Sequence, residues 1–179
     1  MKVRFPDPLI EEILSPWEAR IGKDYLGYRG HVYRVFNFCL ALRICTAEEE
    51  RKLAIAVCFH DIGLWSNHTV DYLPPSAEQC RFYLDSVGQE QWAHELSLII
   101  EHHHQIRAGK VPDFPLVEIF RRGDLVDFSL GLFSCGVPRS FIREVKQSIP
   151  NHGFHRFLLS GAGDWFLGHP FVPPPFMKW

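Results

Sequence analysis

The chain has 179 residues, of which 46% are hydrophobic and 22% are charged, so one globular domain is expected and a disordered chain is excluded. Lysine and arginine total 19 against 21 aspartates and glutamates, and the net charge of -2 predicts no extended nucleic-acid face. Ten histidines stand out for this length, and several of them cluster.

Neither membrane insertion nor export is predicted. The longest purely apolar run, Leu53–Phe59, has seven residues. A membrane span needs roughly 20. The N-terminus reaches Pro6 and Pro8 without an apolar core, so we expect no secretory signal. The five cysteines form no CxxC pair, which argues against disulfides and a thiolate zinc site and favours a reducing, cytoplasmic setting.

Apolar residues at helical spacing dominate the first part of the chain. They predict a helix over 9–21, bent or split by Pro16, and a second helix over 30–44 after a stretch punctuated by glycines. Thr46 and Glu49 have the spacing of a capping box. The helix that they open is expected to run to His60-Asp61 and to stop at Gly63.

The second part of the chain continues the helical pattern after a loop over 65–75, and alternating strand patterns are absent. Helices are predicted over 77–87 with Ser76 as N-cap, 89–105, 116–132, 138–149 and 154–159. The proline-rich tail 170–179 is expected to form an irregular arm that packs on its own domain or on a second copy, which leaves a homo-oligomer open. The predicted fold is all-α, a single-domain helical bundle over 1–179.

Metal-competent residues fall on four of these predicted helices. His31 starts one helix, His60-Asp61 end the next, 101–104 (Glu-His-His-His) end a third, and Asp124 and Asp127 share a face of the fourth. Mixed imidazole and carboxylate ligands suit a divalent cation, and a helical bundle can aim them into its core. The alternative is that the histidines form a solvated helix end and that the aspartates belong to a surface ion-pair patch.

The order of these residues resembles the HD-domain phosphohydrolase superfamily, whose H…HD…H…D pattern lies on a helical bundle. His31-Val32-Tyr33-Arg34-Val35 is similar to the family's H-x-x-R-V opening, and Phe59-His60-Asp61-Ile62-Gly63 to its HDIG signature. The segment 122–127 is similar to the closing D-x-x-D helix. The match spans about 28–130, and 63–76 resembles a small bacterial branch of the superfamily.

The resemblance implies a divalent-metal phosphohydrolase. The implied metal ligands are His31, His60, Asp61 and Asp124, with His102 or His103 added in members that hold two ions; His102 is the preferred of the two. One or two ions of Mn, Fe, Co, Ni, Zn or Mg would activate a water that attacks a phosphoester of a small phosphorylated metabolite or nucleotide.

Four residues have further candidate roles. Asp61 is the central catalytic candidate, and Arg34, one turn after His31, is a candidate phosphate contact or a plain surface cation. His68, in the loop after Asp61, is a candidate general acid or an ordinary exposed histidine. Asp127 is expected to orient a ligand rather than to bind metal.

The chain departs from several branches of the superfamily. Leu64 replaces the lysine that often follows HDIG, and no GYP motif follows the histidine cluster, which disfavours the cyclic-dinucleotide branch. Two alternatives to the hydrolase remain open. One is a di-iron HD-type oxygenase, which the extra histidines 102–104 keep in view, and the other is a non-catalytic metal- or ligand-binding module.

Overall fold

The structure, a computed structural model, describes residues 1–105 and 111–168. These residues form helices, short 3-10 turns and loops without a strand, as the all-α prediction requires. In chain order the helices are α1 (Pro8–Leu14), α2 (Glu18–Ile21), α3 (Tyr25–Leu42), α4 (Ala47–Phe59), α5 (Gly63–Ser66), α6 (Leu73–Ser86), α7 (Ala93–His102), α8 (Pro115–Phe128), α9 (Arg139–Ser148) and α10 (Phe154–Gly168).

The predicted first helix is split as expected. A 3-10 turn over Ser15–Trp17 separates α1 from α2, because Pro16 cannot donate a helical hydrogen bond. Asp7 caps α1 by accepting from the backbone N–H groups of Leu9 and Ile10.

Helix α3 starts five residues before the predicted start at residue 30. Gly27 and Gly30 lie inside the helix, so their interpretation as breaks was wrong. A Cβ on Gly30 would lie 2.8 Å from the carbonyl oxygen of Pro150. The glycines therefore serve close packing of α3 against the segment that leads into α10.

The capping box of α4 is confirmed: the backbone N–H of Glu49 donates to Thr46 Oγ1 at 3.2 Å, and that of Thr46 donates to Glu49 Oε2 at 2.8 Å. The helix ends at Phe59, and His60, Asp61 and Ile62 form a turn. Gly63 does not stop α4. It starts α5, and its N–H donates to Ser76 Oγ at 2.9 Å.

Gly63 is required where two backbone segments meet. A Cβ there would lie 2.2 Å from the Tyr72 carbonyl oxygen. We expect Gly63→Ala to destabilise the fold by about 1–3 kcal/mol, because the Tyr72 backbone must move. The melting temperature should fall by roughly 2–10 °C. Gly168→Ala, where a Cβ meets open space, is the control; equal melting temperatures in the two variants would contradict this account.

Several predicted boundaries shift in the second part of the chain. Helix α6 begins at Leu73, so Ser76 is not its N-cap but an internal residue that binds the Gly63 N–H. A 3-10 turn over Glu90–Trp92 precedes α7. Helix α8 ends four residues before the predicted end at 132, and helix α10 continues nine residues past the predicted end at 159. The predicted arm 170–179 lies outside the described residues.

Helix α3 lies at the centre of the core. It packs against α4, α8, α9 and α10, and α7 contacts both α4 and α8. At the crossing of α3 and α8, a Cβ on Gly123 would lie 2.6 Å from Cys39 Sγ, so glycine permits the close approach that brings Asp124 towards α3. All five cysteines are free, and no described helix has the length and hydropathy needed to cross a bilayer.

Candidate metal centre

Four helices of the bundle bring histidines and aspartates to one buried point. His31 lies on α3, His60 and Asp61 lie in the turn after α4, His103 follows the end of α7, and Asp124 lies on α8. Each of these residues is at most 4% exposed. Burial of so many polar groups requires that their hydrogen-bonding or ligand-binding capacity be satisfied there.

The rings of His31 and His60 point at each other. His31 Nδ1–H donates to Asp127 Oδ2 at 2.7 Å, and His60 Nδ1–H donates to the Val57 carbonyl at 2.9 Å. Because a neutral imidazole carries one proton, both Nε2 atoms are left with lone pairs. These two atoms lie only 2.9 Å apart. Two lone pairs at this distance repel, and a cation bound between them and the nearby carboxylates would remove the conflict.

The third imidazole repeats this arrangement. His103 Nδ1–H donates to the Ile100 carbonyl at 2.7 Å, which leaves the Nε2 lone pair towards the cluster. His103 Nε2 lies 3.3 Å from Asp61 Oδ1. Both atoms are buried without a hydrogen-bond partner among the described residues. A pair of acceptors that face each other without a donor is the arrangement expected of ligands that share a cation.

The two oxygens of Asp61 face different sides of the cluster. Asp61 Oδ2 lies 3.3 Å from His60 Nε2 and 3.6 Å from His31 Nε2, whereas Oδ1 faces His103. Two ligand groups therefore share this carboxylate, one with His31 and His60 and the other with His103 and His104. Asp124 Oδ1 lies 3.4 Å from His31 Nε2, beside the first group.

A second layer of contacts holds His31 in place. Asp127 accepts from His31 and also from Arg34, whose Nε donates to Asp127 Oδ1 at 2.6 Å. The ring of Phe154 stacks on His31 with centroids 4.4 Å apart, and His155 Nε2–H donates to the Asp127 carbonyl at 2.8 Å. Asp127 thus fixes the orientation of the His31 ring.

Charges in the cluster follow from burial and from these contacts. Burial lowers the pKa of His31 to about 4, despite the opposing effect of its hydrogen bond to Asp127, so this ring is neutral at pH 7. Burial opposes ionisation of Asp127, but His31 and Arg34 hold its pKa well below the usual range. Burial raises the pKa of Asp124 to about 7, with Asp61 and Asp127 adding to the rise.

Asp61 stays ionised in this buried place. Burial raises its pKa, but positive charge on His60 and His103, or on a cation that they share with Asp61, outweighs that effect and holds the pKa of the Asp61 carboxyl well below its usual range. An ionised carboxylate surrounded by imidazole lone pairs is a strong site for a divalent cation.

Two residues at the cluster were not assigned roles from the sequence. His104 belongs to the second ligand group, and Tyr72 places its hydroxyl 2.5 Å from His104 Nε2. Burial lowers the pKa of His104, and the neighbouring His103 lowers it further. Tyr72 carried no signal in the sequence, because a single tyrosine in a loop has no ligand spacing.

The structure separates the neighbouring histidines of the 102–104 run. His103 lies within ligand distance of Asp61, and His102, the preferred candidate, lies outside both ligand groups. Residues adjacent on a helical turn point about 100° apart, so one of the two is turned away. The bond from His103 to the Ile100 carbonyl directs His103 inward.

Two further candidates are not brought to the cluster as expected. The Arg34 guanidinium donates to Asp127 and to the Ile149 and Pro150 carbonyls, so its donors are used by the protein and not directed at a substrate. His68 is exposed, has a φ of 51°, and belongs to neither ligand group.

Among the described residues of the two ligand groups, His104 has the most exposed side chain. The His104 side chain is 18% exposed, whereas the side chains of Asp61 and Asp124 are at most 5% exposed. Phe128, half exposed, stands edge-on to His104 with ring centroids 6.3 Å apart.

The residues present fit one or two divalent cations. The donor set combines neutral imidazole nitrogens with an ionised carboxylate, and the tautomers of three imidazoles are fixed with a lone pair inward. Comparison with known proteins gives no relative for this chain: no family model, curated protein or solved structure matches it. The argument for function therefore depends on the geometry of the cluster.

Proposed function

We propose that the protein is a metal-dependent phosphohydrolase of the HD type that acts on a small phosphorylated metabolite or nucleotide. The observation that supports this most directly is the convergence of three imidazole Nε2 atoms on the two oxygens of Asp61, with two of the buried acceptors left without a donor. A purely structural polar network would pair its acceptors with donors.

A divalent cation held at this point would supply Lewis-acid chemistry, activating a water and offsetting the charge of a phosphoryl group. His31, His60, Asp61 and Asp124 would hold it on one side of Asp61, and His103 and His104 would extend the site on the other. Asp127 and Arg34 keep the His31 ring in a fixed orientation, so that the ligand geometry is formed before substrate arrives.

The surroundings also favour a phosphoester over a larger anionic polymer. Arg34 and Arg121, two largely buried cations of the bundle, are engaged by Asp127 and Glu118. Neutralisation of substrate charge would therefore fall to the bound cation. The half-exposed Phe128 ring, edge-on to His104, would suit a small substrate with an apolar or aromatic portion.

A second candidate is the oxygenase with two irons. The observation that favours it is the fourth imidazole, since His104 joins His31, His60 and His103 around the shared carboxylate. Imidazole-rich sites suit iron as well as zinc and nickel. The two candidates differ in the metal that they carry and in the reaction that it supports.

The test is metal analysis and hydrolysis on the same preparation. The full chain, purified without chelator or histidine tag, should contain up to two equivalents of a transition metal, one for each ligand group. Chelation should abolish hydrolysis of p-nitrophenyl phosphate or of nucleoside monophosphates, and Mn²⁺, Co²⁺, Ni²⁺ or Zn²⁺ should restore it.

Two results would decide against the hydrolase. Failure to bind any of these ions would mean that the ligands do not converge in solution. Two equivalents of iron with substrate-dependent oxygen uptake, and no phosphoesterase activity, would favour the oxygenase.

A further inference from the structure

A groove of about 290 Å³ lies on the protein surface between α1, the 3-10 turn that follows it, and α6. Four aromatic side chains line it: Trp17, Phe59, Phe82 and Tyr83. Of the described residues in this lining, Glu12 is the one that is charged at pH 7. No residue of the lining belongs to either metal-ligand group, so this aromatic groove is separate from the candidate metal centre.

Phe59, the last residue of α4, forms the floor of the aromatic groove and is 2% exposed. Its ring lies nearly perpendicular to that of Trp17, with centroids 6.5 Å apart, and its centroid is 5.4 Å from that of Tyr83. Trp17 and Tyr83 are half-buried, and Phe82, beside Tyr83 on α6, is 58% exposed. Because the faces of aromatic rings carry negative charge density, rings grouped around a groove attract a cation.

Glu12 adds a negative charge to the same groove. It is exposed and forms no ion pair with the residues that the structure describes. Its charge reaches the Tyr83 hydroxyl: burial raises the pKa of Tyr83, Glu12 raises it further, and Arg51 opposes both. Arg51 is not part of the lining, and its guanidinium lies over the Trp92 ring, 5.7 Å from the centroid. A ligand in the groove therefore meets a net negative charge.

A methylated ammonium group fits this lining better than a primary amine does. A primary ammonium has three N–H donors and is strongly hydrated, so it needs several acceptors in exchange for water. Besides the Glu12 carboxylate, the acceptors among the described lining side chains are those of Gln79 and Tyr83. A quaternary ammonium has no N–H donor, and its methyl groups can pack directly on aromatic rings.

We propose that the aromatic groove binds a small molecule that carries a quaternary ammonium group. The methyl groups pack on the rings of Trp17, Phe82 and Tyr83 above Phe59, and Glu12 balances the positive charge. The volume is at the lower end of ligand pockets, which suits one trimethylammonium head with a short chain. This site stands independently of the proposed hydrolase, because the two share no residue.

The first test is titration of the full chain with choline, followed by calorimetry and by ¹H–¹⁵N NMR. Choline should bind and should shift the indole N–H resonance of Trp17. The matched probe is 3,3-dimethylbutan-1-ol, which has the shape of choline with a neutral carbon in place of the charged nitrogen. It should bind about 10-fold more weakly, because it keeps the apolar contacts and loses the attraction of the rings and of Glu12.

Two variants at exposed positions identify the site without disturbing the core. Glu12→Gln and Phe82→Leu should each weaken choline binding by about 3–10-fold. Glu78→Gln, at an exposed position of α6 outside the lining, is the control for the charge. Phe133→Leu, which is 58% exposed like Phe82 and also outside the lining, is the control for the ring. Both controls should bind choline as wild type does.

Several results would overturn the proposal. Equal affinities for choline and its neutral analogue would make the groove a plain apolar contact. Choline affinity that is unchanged in both Glu12→Gln and Phe82→Leu would place the binding elsewhere. Binding to phosphatidylcholine vesicles without binding to free choline would assign the groove to a lipid surface instead of a small molecule. None of these results would affect the proposed hydrolase, whose test is metal content and phosphoester turnover.

Discussion

Asp61→Asn is expected to remove metal binding from both ligand groups and to abolish hydrolysis. Asp61 is the one residue that both groups contain, and each of its oxygens faces a different set of histidines. An amide keeps the shape of the side chain but loses the negative charge that attracts a cation. Loss of a Lewis acid that contributes about 4 kcal/mol to the barrier would lower the rate by about 1000-fold.

The measurement combines metal content with turnover of a phosphoester under saturating Mn²⁺ or Co²⁺. Asp85→Asn, an exposed aspartate on α6, makes the same substitution away from the cluster and should retain both metal and activity. The far-ultraviolet circular dichroism of Asp61→Asn should match that of wild type, because the amide is nearly isosteric. Unchanged turnover in Asp61→Asn would contradict the proposed mechanism.

The sequence predicted the position of the cluster because its pattern is set by helices. His31, His60-Asp61 and Asp124 each lie on or next to a helix whose apolar face is easily recognised, and the all-α class followed from the same periodicity. The capping box at Thr46 and the split at Pro16 were predictable because each depends only on neighbouring residues.

Features that depend on contacts between distant segments were not predictable. Glycine is equally common in turns and where two segments pack closely, so the sequence alone does not distinguish the two. Gly30 and Gly63 were interpreted as breaks because nothing in the neighbouring residues predicts that the segments around Pro150 and Tyr72 pack against them. The choice between His102 and His103 depends on where α7 ends, and the capture of Arg34 by Asp127 depends on the packing of α3 against α8. Tyr72 had no pattern at all.

The structure also predicts that the site costs stability in the absence of metal. Asp124 is buried beside Asp61 and Asp127, and its pKa of about 7 lies above the ordinary 3.8. The stabilising effect of its protonated form is therefore fully present below about pH 3.8 and is lost as the pH rises through 7. At pH 8 the folded, metal-free protein carries an ionised Asp124 that costs up to about 4 kcal/mol.

Asp124→Asn should remove that cost and weaken the metal response together. With chelator present, its melting temperature should exceed that of wild type by up to about 10 °C at pH 8, and the difference should vanish near pH 4. Added Co²⁺ should stabilise wild type by about 2.7 kcal/mol at a concentration 100 times its dissociation constant. The variant should keep only the response of the Asp61–His103–His104 group, to which Asp124 does not belong.

The opposite signs of these two effects make the experiment decisive. A residue kept only for packing would destabilise the metal-free protein when changed, and its replacement would leave the response to Co²⁺ intact. The negative charge of a metal ligand destabilises the metal-free protein and is neutralised when a cation binds in place of the proton on Asp124. Replacing such a ligand should therefore stabilise the metal-free protein and weaken its response to Co²⁺. A metal-free Asp124→Asn that melts below wild type at pH 8 would show that Asp124 is not held in this way.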